Sequence, residues 1–182
     1  MKRAASNHSC SLYETNKAVY SLLYYGVGIA REIGQPHTTF PLIDWDHPEN
    51  NDFAVAEEVS VRRVDGKTTR RPDVVLYVNG IALAVLELKR GSVTVNEAIR
   101  QNQTNQHEGE IPHFFSTVQL VMAANETEGL RYATTKTPPK YYLTWKRDQE
   151  DTPVNHLLEH LRELCSQKRL LEFIHDFVVY DA

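Results

Sequence analysis

The sequence predicts an α/β protein in which helices flank a central mixed β-sheet. Apolar runs of strand length occupy the middle of the chain, a polar helical pattern separates two groups of them, and amphipathic helical patterns lie near both ends. With 182 residues, 41% hydrophobic residues and a net charge of −4, the chain has the composition of one soluble globular domain.

The first predicted element is a helix within residues 12–33, where leucine and valine recur at helical spacing. We expect it to end near Gly26 or Gly28. Residues 34–52 are rich in Pro, Asn and Asp, which indicates a loop. The next strand is predicted in the second half of residues 53–64.

The remaining elements alternate between strands and helices. After a turn signal at Asp65-Gly66 and a basic stretch come a hairpin and a polar helix, followed by three strands and two amphipathic helices. In chain order these lie in residues 71–91, 95–107, 115–125, 130–134, 141–146, 155–164 and 168–177. This order fits a sheet covered by helices.

The hairpin, "RPDVVLYVNGIALAVLELKRG", has charged residues at the ends of its apolar runs. Asp73 opens the first run, Glu87 and Lys89 close the second, and Asn79-Gly80 lies between the runs as a turn signal. Buried strands rarely carry charge unless that charge is paired or binds something. Glu87 and Lys89 are two residues apart in a strand and therefore share a face.

The length of the turn decides whether Asp73 joins that face. A two-residue loop at Asn79-Gly80 in a regular hairpin sets Asp73 opposite Leu86, on the face away from the other two charges. A three-residue loop that also includes Val78 brings Asp73 to their face. If the three charges act together, we predict the three-residue loop or an equivalent bulge.

Convergence of Asp73 and Glu87 favours a divalent metal, because neighbouring carboxylates repel each other and cannot both ionise without compensation. Mg²⁺ is usually held by one or two carboxylates together with water and substrate phosphate. Lys89 beside it could orient a nucleophile or stabilise developing negative charge, a composition suited to phosphodiester hydrolysis. The same residues also allow surface ion pairs, Glu87 with Lys89 or Asp73 with Arg71.

These residues also carry a resemblance. Pro72-Asp73, thirteen intervening residues and Glu87-Leu88-Lys89 resemble the PD-(D/E)xK nuclease motif. The hairpin with "EAIRQNQ", "IPHFF", "VQLVMAANETEGLRYAT" and "YYLTWK" is similar to the N-terminal nuclease domain of the type I restriction enzyme R (motor) subunit. The resemblance runs from about residue 12 to the end, and implies a PD-(D/E)xK restriction-endonuclease-like core.

The resemblance also implies roles for individual residues. Asp73 and Glu87 would bind Mg²⁺, and Lys89 would be the catalytic lysine. Gln101 fits the glutamine of the family's Gln-x-x-x-Tyr pattern and would contact DNA or the active site, whereas Asn105 stands where the Tyr would be.

Glu14 is a further candidate ligand, because some members of the family carry a Glu near the metal on the first helix. The structural alternative is a solvated glutamate in the first turn, which is favourable near a helix N-terminus.

Basic residues cluster around the turn before the hairpin, and with Gln101 they are candidate DNA contacts. A patch of this kind would bind phosphates in a sequence-independent and salt-sensitive way. The alternative is a solvated turn. The cluster comprises Arg62, Arg63, Lys67, Arg70 and Arg71.

The resemblance further implies the setting of the domain. We expect one nuclease domain over residues 1–182, as the N-terminal fragment of a larger translocase subunit, with helices in about residues 153–177 leading towards its helicase domains. Expected partners are double-stranded DNA and the methylation and specificity subunits. ATP is expected only in the motor domains, because Gly66-Lys67-Thr68 imitates the end of a Walker A loop but Val61 replaces its first glycine.

The chain has no apolar run of membrane-spanning length, and its two cysteines, Cys10 and Cys165, are far apart, which together predict a reduced cytoplasmic protein. The leading hypothesis is Mg²⁺-dependent endonucleolytic cleavage of double-stranded DNA, as a type I site-specific deoxyribonuclease. The alternatives are a nuclease of another PD-(D/E)xK lineage, in DNA repair or modification-dependent restriction, and a catalytically silent docking module of the same fold.

Overall fold

A computed structural model describes residues 10–29, 38–146 and 156–180. Its elements in chain order are α1 (Leu12–Tyr25), β1 (Val27–Ile29), β2 (Thr38–Phe40), β3 (Phe53–Glu57), β4 (Val61–Arg62), β5 (Thr69–Arg70), β6 (Val74–Val78), β7 (Ile81–Lys89), α2 (Val95–Asn105), α3 (Pro112–Phe115), β8 (Leu120–Asn125), β9 (Gly129–Ala133), β10 (Leu143–Thr144), α4 (Leu157–Leu164) and α5 (Gln167–Glu172). A π-helical turn, Phe173–Phe177, follows α5.

The central element is a six-stranded sheet with the order β10-β9-β8-β7-β6-β3. Strands β7 and β8 run parallel, and the other neighbouring strands run antiparallel. The chain between the parallel strands includes α2 and α3, as a crossover connection requires. The predicted fold class, a mixed sheet flanked by helices, is confirmed.

Helices cover both faces of this sheet. On one face, Leu86 of β7 belongs to a core completed by residues of α1, α4 and α5. On the other face, Val85 packs in a cluster with Phe115 of α3, while residues of α2 cover Ala123 of β8. The sheet is therefore enclosed, and side chains at the ends of its central strands are held by a rigid frame.

The first helix ends where the sequence predicted. Its side-chain cap is Ser11, whose Oγ accepts a hydrogen bond from Glu14 N at 3.2 Å. Gly26 follows the helix with φ +81°, and a Cβ there would lie 2.6 Å from the carbonyl oxygen of Phe40. Glycine is required at this position by both its conformation and the close approach of β2.

The hairpin turn is shorter than the predicted three-residue loop. Val78 pairs with Ile81, so the loop contains only Asn79 and Gly80. Both have positive φ, 51° and 77°, as in the type I′ turns that match the twist of a two-residue hairpin. The prediction of a three-residue loop was wrong because Asn-Gly satisfies this tighter turn.

The predicted alternative, a bulge, is present in β7. Tyr77 pairs with Ala82 but Leu76 pairs with Ala84, which leaves Leu83 as an extra residue. Leu83 and Ala84 consequently belong to the same core cluster although they are neighbours in sequence. The bulge changes the parity of the remaining strand and brings its charged end onto the face of Asp73.

Other local predictions were partly wrong. The strand predicted in the second half of residues 53–64 is present as the short β4, but the longer β3, Phe53–Glu57, which pairs with β6 at the sheet edge, was missed in the first half. The predicted loop at 34–52 contains β2, and α3 had not been predicted.

The two C-terminal helices are confirmed as α4 and α5. Residues 1–9, 30–37, 147–155 and 181–182, which include parts of the predicted first helix, loop and C-terminal helical segment, lie outside the described residues. None of the described helices combines the length and apolar character needed to cross a bilayer.

Candidate active site

Asp73 lies immediately before β6, next to the charged end of β7. Val74 pairs with Leu86, so continuing the register sets Asp73 opposite Glu87. The Asp73 carboxylate accepts the backbone N–H of Leu88 through Oδ2 at 2.7 Å, which extends the ladder by one side-chain bond. This hydrogen bond fixes Asp73 beside the second carboxylate.

Glu87 is fully buried. Its Oε1 accepts a hydrogen bond from Asn105 Nδ2 at 3.3 Å, and its Oε2 is buried without a hydrogen-bond partner within residues 10–29, 38–146 and 156–180. A buried acceptor left in this state is unfavourable and is rare in folded proteins. Oε2 is therefore the clearest sign that this carboxylate is placed to bind something else.

The electrostatics of Glu87 agree with its burial. Burial, first, and then the neighbouring Asp73 carboxylate, through repulsion and a hydrogen bond that only the protonated acid can make, together raise the pKa of Glu87 from 4.5 to about 8, while the Lys89 ammonium opposes the shift. Without a cation, the two carboxylates together retain a proton near neutral pH. Shifts of this kind are typical of functional sites.

The side chain of Lys89 is held in place by a hydrogen bond to helix α2. Its Nζ donates a hydrogen bond to Oε1 of Gln101 at 2.6 Å, across from the end of β7 to the middle of the helix. The two proposed surface ion pairs are not what is observed, because Glu87 is buried and Arg71 pairs with Glu58 at 3.2 Å.

Two open clefts meet at Lys89. The larger, about 1200 Å³, is bordered by Asp73 and Lys89 together with the acidic Glu58 and Glu126. The smaller, about 390 Å³, is bordered by Lys89, Arg70, Arg100, Gln101 and Asn105, among others. Lys89 therefore lies where an acidic cleft joins a more basic one.

The donor set fits a hard divalent cation. Asp73 and Glu87 offer carboxylate oxygens, and one of these, Glu87 Oε2, is buried and unpartnered among the described residues. In the part of the chain that the structure describes, no group of three or more His, Cys, Asp or Glu gathers as a metal site. The protein thus offers two carboxylates, the number with which Mg²⁺ is usually held when water and substrate complete its shell.

Glu14 does not join these carboxylates, and we withdraw it as a metal ligand. It is exposed in the first turn of α1, as in the structural alternative. Two residues later, Asn16 Nδ2 donates to the carbonyl of Val118 at 3.0 Å, just before β8, whereas Glu87 lies beside Ala123. The five residues from Val118 to Ala123 span about 16 Å of extended chain, so α1 docks that far along the chain from the neighbour of Glu87.

A partly buried acid, Glu110, pairs with two of the five basic residues, and no signal in the sequence pointed to it. Glu110 receives Arg70 Nε on Oε2 at 2.5 Å and Arg63 Nη2 on Oε1 at 2.9 Å. Arg70 lowers the pKa of Glu110, largely through this hydrogen bonding. Two of the five candidate DNA contacts therefore have much of their charge compensated within the protein.

The other three cluster members are exposed. Arg71 is paired with Glu58, with more than half of each side chain exposed, and Arg62 and Lys67 extend from the β4–β5 ribbon and its turn. Exposed ion pairs contribute little in water and exchange readily for a phosphate. Gln101, the sixth candidate, borders the smaller cleft and accepts a hydrogen bond from Lys89.

Asn105, which stands in place of the Tyr in the Gln-x-x-x-Tyr pattern, contacts Glu87. One signal could have revealed this contact. Asn105 follows Gln101 by four residues, so both side chains lie on one face of α2.

Comparison with known proteins yields one family and several relatives. The family described as Type I restriction enzyme R protein N terminus matches residues 1–140. A putative type I restriction enzyme MjaIXP endonuclease subunit of Methanocaldococcus jannaschii is 25% identical over 91% of this chain and 18% of its own length. The type I restriction enzyme HindI endonuclease subunit of Haemophilus influenzae is 27% identical over 100% of this chain and 18% of its own length.

A putative MjaVIIIP endonuclease subunit, also of Methanocaldococcus jannaschii, is 29% identical over 81% of this chain and 14% of its own length. The chain thus spans less than a fifth of the length of these relatives.

Proposed function

The chain belongs to the Type I restriction enzyme R protein N terminus family, and we propose from this that it is a Mg²⁺-dependent nuclease domain that cleaves double-stranded DNA. The observation that carries the proposal is Glu87, which lies buried beside the Asp73 carboxylate with an Oε2 that has no hydrogen-bond partner among the described residues. Burying two acids together is unfavourable unless a cation or a proton compensates them.

Each residue has a distinct part in this proposal. Asp73 and Glu87 would hold the metal, which would lower the pKa of a coordinated water and screen the phosphodiester charge. Lys89 places an ammonium beside the reacting phosphate, where it orients the nucleophile or stabilises the developing negative charge. Gln101 holds that ammonium through its Oε1.

DNA contact is proposed for the exposed basic residues. Arg62 and Lys67 offer their charge to backbone phosphates, and Arg71 can exchange Glu58 for a phosphate. Arg70 borders the smaller cleft together with Lys89, so it would lie nearest to the DNA strand that is cleaved. Arg63 mainly pairs with Glu110. Contacts of this kind carry no sequence information, which suits a nuclease whose recognition resides elsewhere.

The relatives are restriction endonuclease subunits by name and several times longer than this chain. We propose that the domain works as part of such an R subunit, in a cytoplasmic complex with methylation and specificity subunits. Translocation and ATP hydrolysis would belong to the longer subunit. Cleavage would then be triggered by the complex and not by a site that this domain recognises.

The test is Lys89→Ala in the full-length R subunit, assembled with its partner subunits. We expect the cleavage rate to fall about 100-fold or more, since a positioned donor that stabilises charge developing in the transition state is worth about 2.7–4 kcal/mol. ATP hydrolysis should remain unchanged. Lys140→Ala is the matched control, because Lys140 is exposed near Tyr141, away from both clefts at Lys89.

Full cleavage by the Lys89→Ala complex would refute the nuclease role of this site. It would favour the docking module, with cleavage carried out by another part of the complex.

A further inference from the structure

Asn105, the last residue of α2, is buried against the candidate site with 2% of its surface exposed. Its Nδ2 donates a hydrogen bond to Glu87 Oε1 at 3.3 Å. This is a neutral donor directed at one oxygen of a buried acid. The other oxygen, Oε2, is the buried atom without a hydrogen-bond partner in the described part of the chain.

We propose that Asn105 is a positioning residue, which orients the Glu87 carboxylate so that Oε2 is presented to the metal. This inference rests on the proposed function and assigns a role within it. A carboxylate on a long side chain can rotate about its terminal bond, so either oxygen could point towards Asp73. A single donor to Oε1 removes that freedom and leaves one oxygen for the cation.

An amide suits this task better than a charged group. A third carboxylate at residue 105 would add repulsion to a pair of acids that already raises the pKa of Glu87. An ammonium would compete with the cation for the same oxygens. The amide N–H instead satisfies Oε1 without changing the net charge of the site.

Asn105 is itself well anchored. Its backbone carbonyl accepts a hydrogen bond from Ile111 N at 3.1 Å, which fixes the end of the helix. Three residues earlier, Asn102 is fully buried and donates to the carbonyl of Met122 at 2.9 Å, which holds α2 against β8. The donor at residue 105 is therefore placed by the helix and not by a mobile loop.

The same helix face serves both charged groups of β7. Gln101 uses its amide oxygen to accept from Lys89, and Asn105, one turn later, uses its amide nitrogen to donate to Glu87. Helix α2 thereby aligns the proposed metal ligand and the proposed catalytic cation together.

The test measures metal binding directly, by Mn²⁺ titration followed by electron paramagnetic resonance, in the full-length protein without DNA. Asn105→Leu keeps the approximate side-chain size but removes the donor. We expect its dissociation constant for Mn²⁺ to rise about 10-fold or more, the range for loss of a hydrogen bond that orients a ligand. Asn105→Ser, whose hydroxyl is too short to reach Glu87, gives a second measurement if the leucine variant does not fold.

Gln103→Leu is the matched control, since it removes a partly buried amide from the same helix that donates to the carbonyl of Thr137 and not to Glu87. We expect it to lower the melting temperature while its Mn²⁺ affinity stays within about twofold of the unaltered protein.

Glu87→Gln separates this inference from the proposed function. If Glu87→Gln loses Mn²⁺ binding but the folded Asn105 variants keep it, the positioning role is refuted and the metal site stands. If Glu87→Gln keeps full Mn²⁺ affinity, the metal site itself is refuted and the positioning role falls with it.

Discussion

Lys89 and Gln101 are joined by a 2.6 Å hydrogen bond between Nζ and Oε1, which links the end of β7 to the middle of α2. A lysine side chain has many rotamers, so an isolated ammonium would be poorly placed for charge stabilisation. The amide oxygen restricts it without neutralising it. Gln101 is therefore expected to act through Lys89.

Gln101→Ala should lower the cleavage rate of the full-length assembled subunit about 10-fold while leaving Mn²⁺ affinity unchanged. A hydrogen bond to a charged group contributes about 1.5–3 kcal/mol, of which about 1.4 kcal/mol corresponds to a factor of ten in rate. Gln103→Ala is the control, because Gln103 lies on the same helix but donates to the carbonyl of Thr137 at 2.8 Å. A rate for Gln101→Ala equal to that of Gln103→Ala would contradict this role.

The second prediction concerns the stability of the metal-free protein against pH. The pKa of Glu87 is raised from 4.5 to about 8, chiefly by burial. Between these two pH values the folded protein retains a proton that the unfolded chain releases, so the free energy of unfolding falls as pH rises from about 4.5 to about 8. Below about pH 4.5 Glu87 adds no pH dependence to the free energy of unfolding, and above about pH 8 it causes no further loss of stability.

Glu87→Gln should remove that slope and, in EDTA at pH 9, raise the free energy of unfolding by a few kcal/mol, at about 1.4 kcal/mol for each pKa unit. Denaturant unfolding at pH 5 and pH 9 measures the effect. Millimolar Mg²⁺ should restore stability to the unaltered protein at pH 9 but not to Glu87→Gln, since only the carboxylate binds the ion. Parallel pH profiles for the two proteins would show that Glu87 is not the titrating group.

The third prediction concerns DNA affinity. Arg62→Ala with Lys67→Ala should weaken duplex binding by the full-length protein at moderate salt, and should reduce the slope of log K against log salt by about 1.8, at 0.9 per phosphate. Both side chains are exposed, so we expect no change in melting temperature. Fluorescence anisotropy at several salt concentrations measures both quantities.

Arg70→Ala with Arg71→Ala should also weaken DNA binding, but it should lower the melting temperature as well, because it removes a charged partner of Glu110. Lys168→Ala with Arg169→Ala is the control for both pairs, since these residues lie on α5, which packs on the opposite face of the sheet. If all three double variants bind DNA equally, the basic turn is a solvated surface and does not contact DNA.

Local signals predicted the parts of the fold that depend on neighbouring residues. The end of α1 at Gly26 follows from helical periodicity and a glycine with positive φ. The charged ends of the hairpin could be recognised because charge is unusual in buried strands. For Asp73 to share a face with Glu87, the hairpin must contain one extra residue, and a three-residue loop and a bulge supply it equally well. The choice depends on Leu83 and Ala84 packing into one core, which is a tertiary contact.

Long-range contacts account for most of what could not be predicted. Glu110 lies 40 residues after Arg70, and no local pattern marks it as the acid that compensates the basic turn. Strand β3 was missed because its position depends on pairing with β6. Glu14 occupies the expected helix, but the way α1 docks before β8 sets it at the far end of the sheet.

The extra residue at Leu83 makes this hairpin tolerant of a change in length. Deleting it, about 13 Å along the strand from Glu87, would leave twelve residues between Asp73 and Glu87, the number with which a regular two-residue hairpin sets them directly opposite each other. The acid would therefore keep its side of the sheet. Segments of twelve residues without a bulge and of thirteen residues with one can thus carry the same pair of carboxylates.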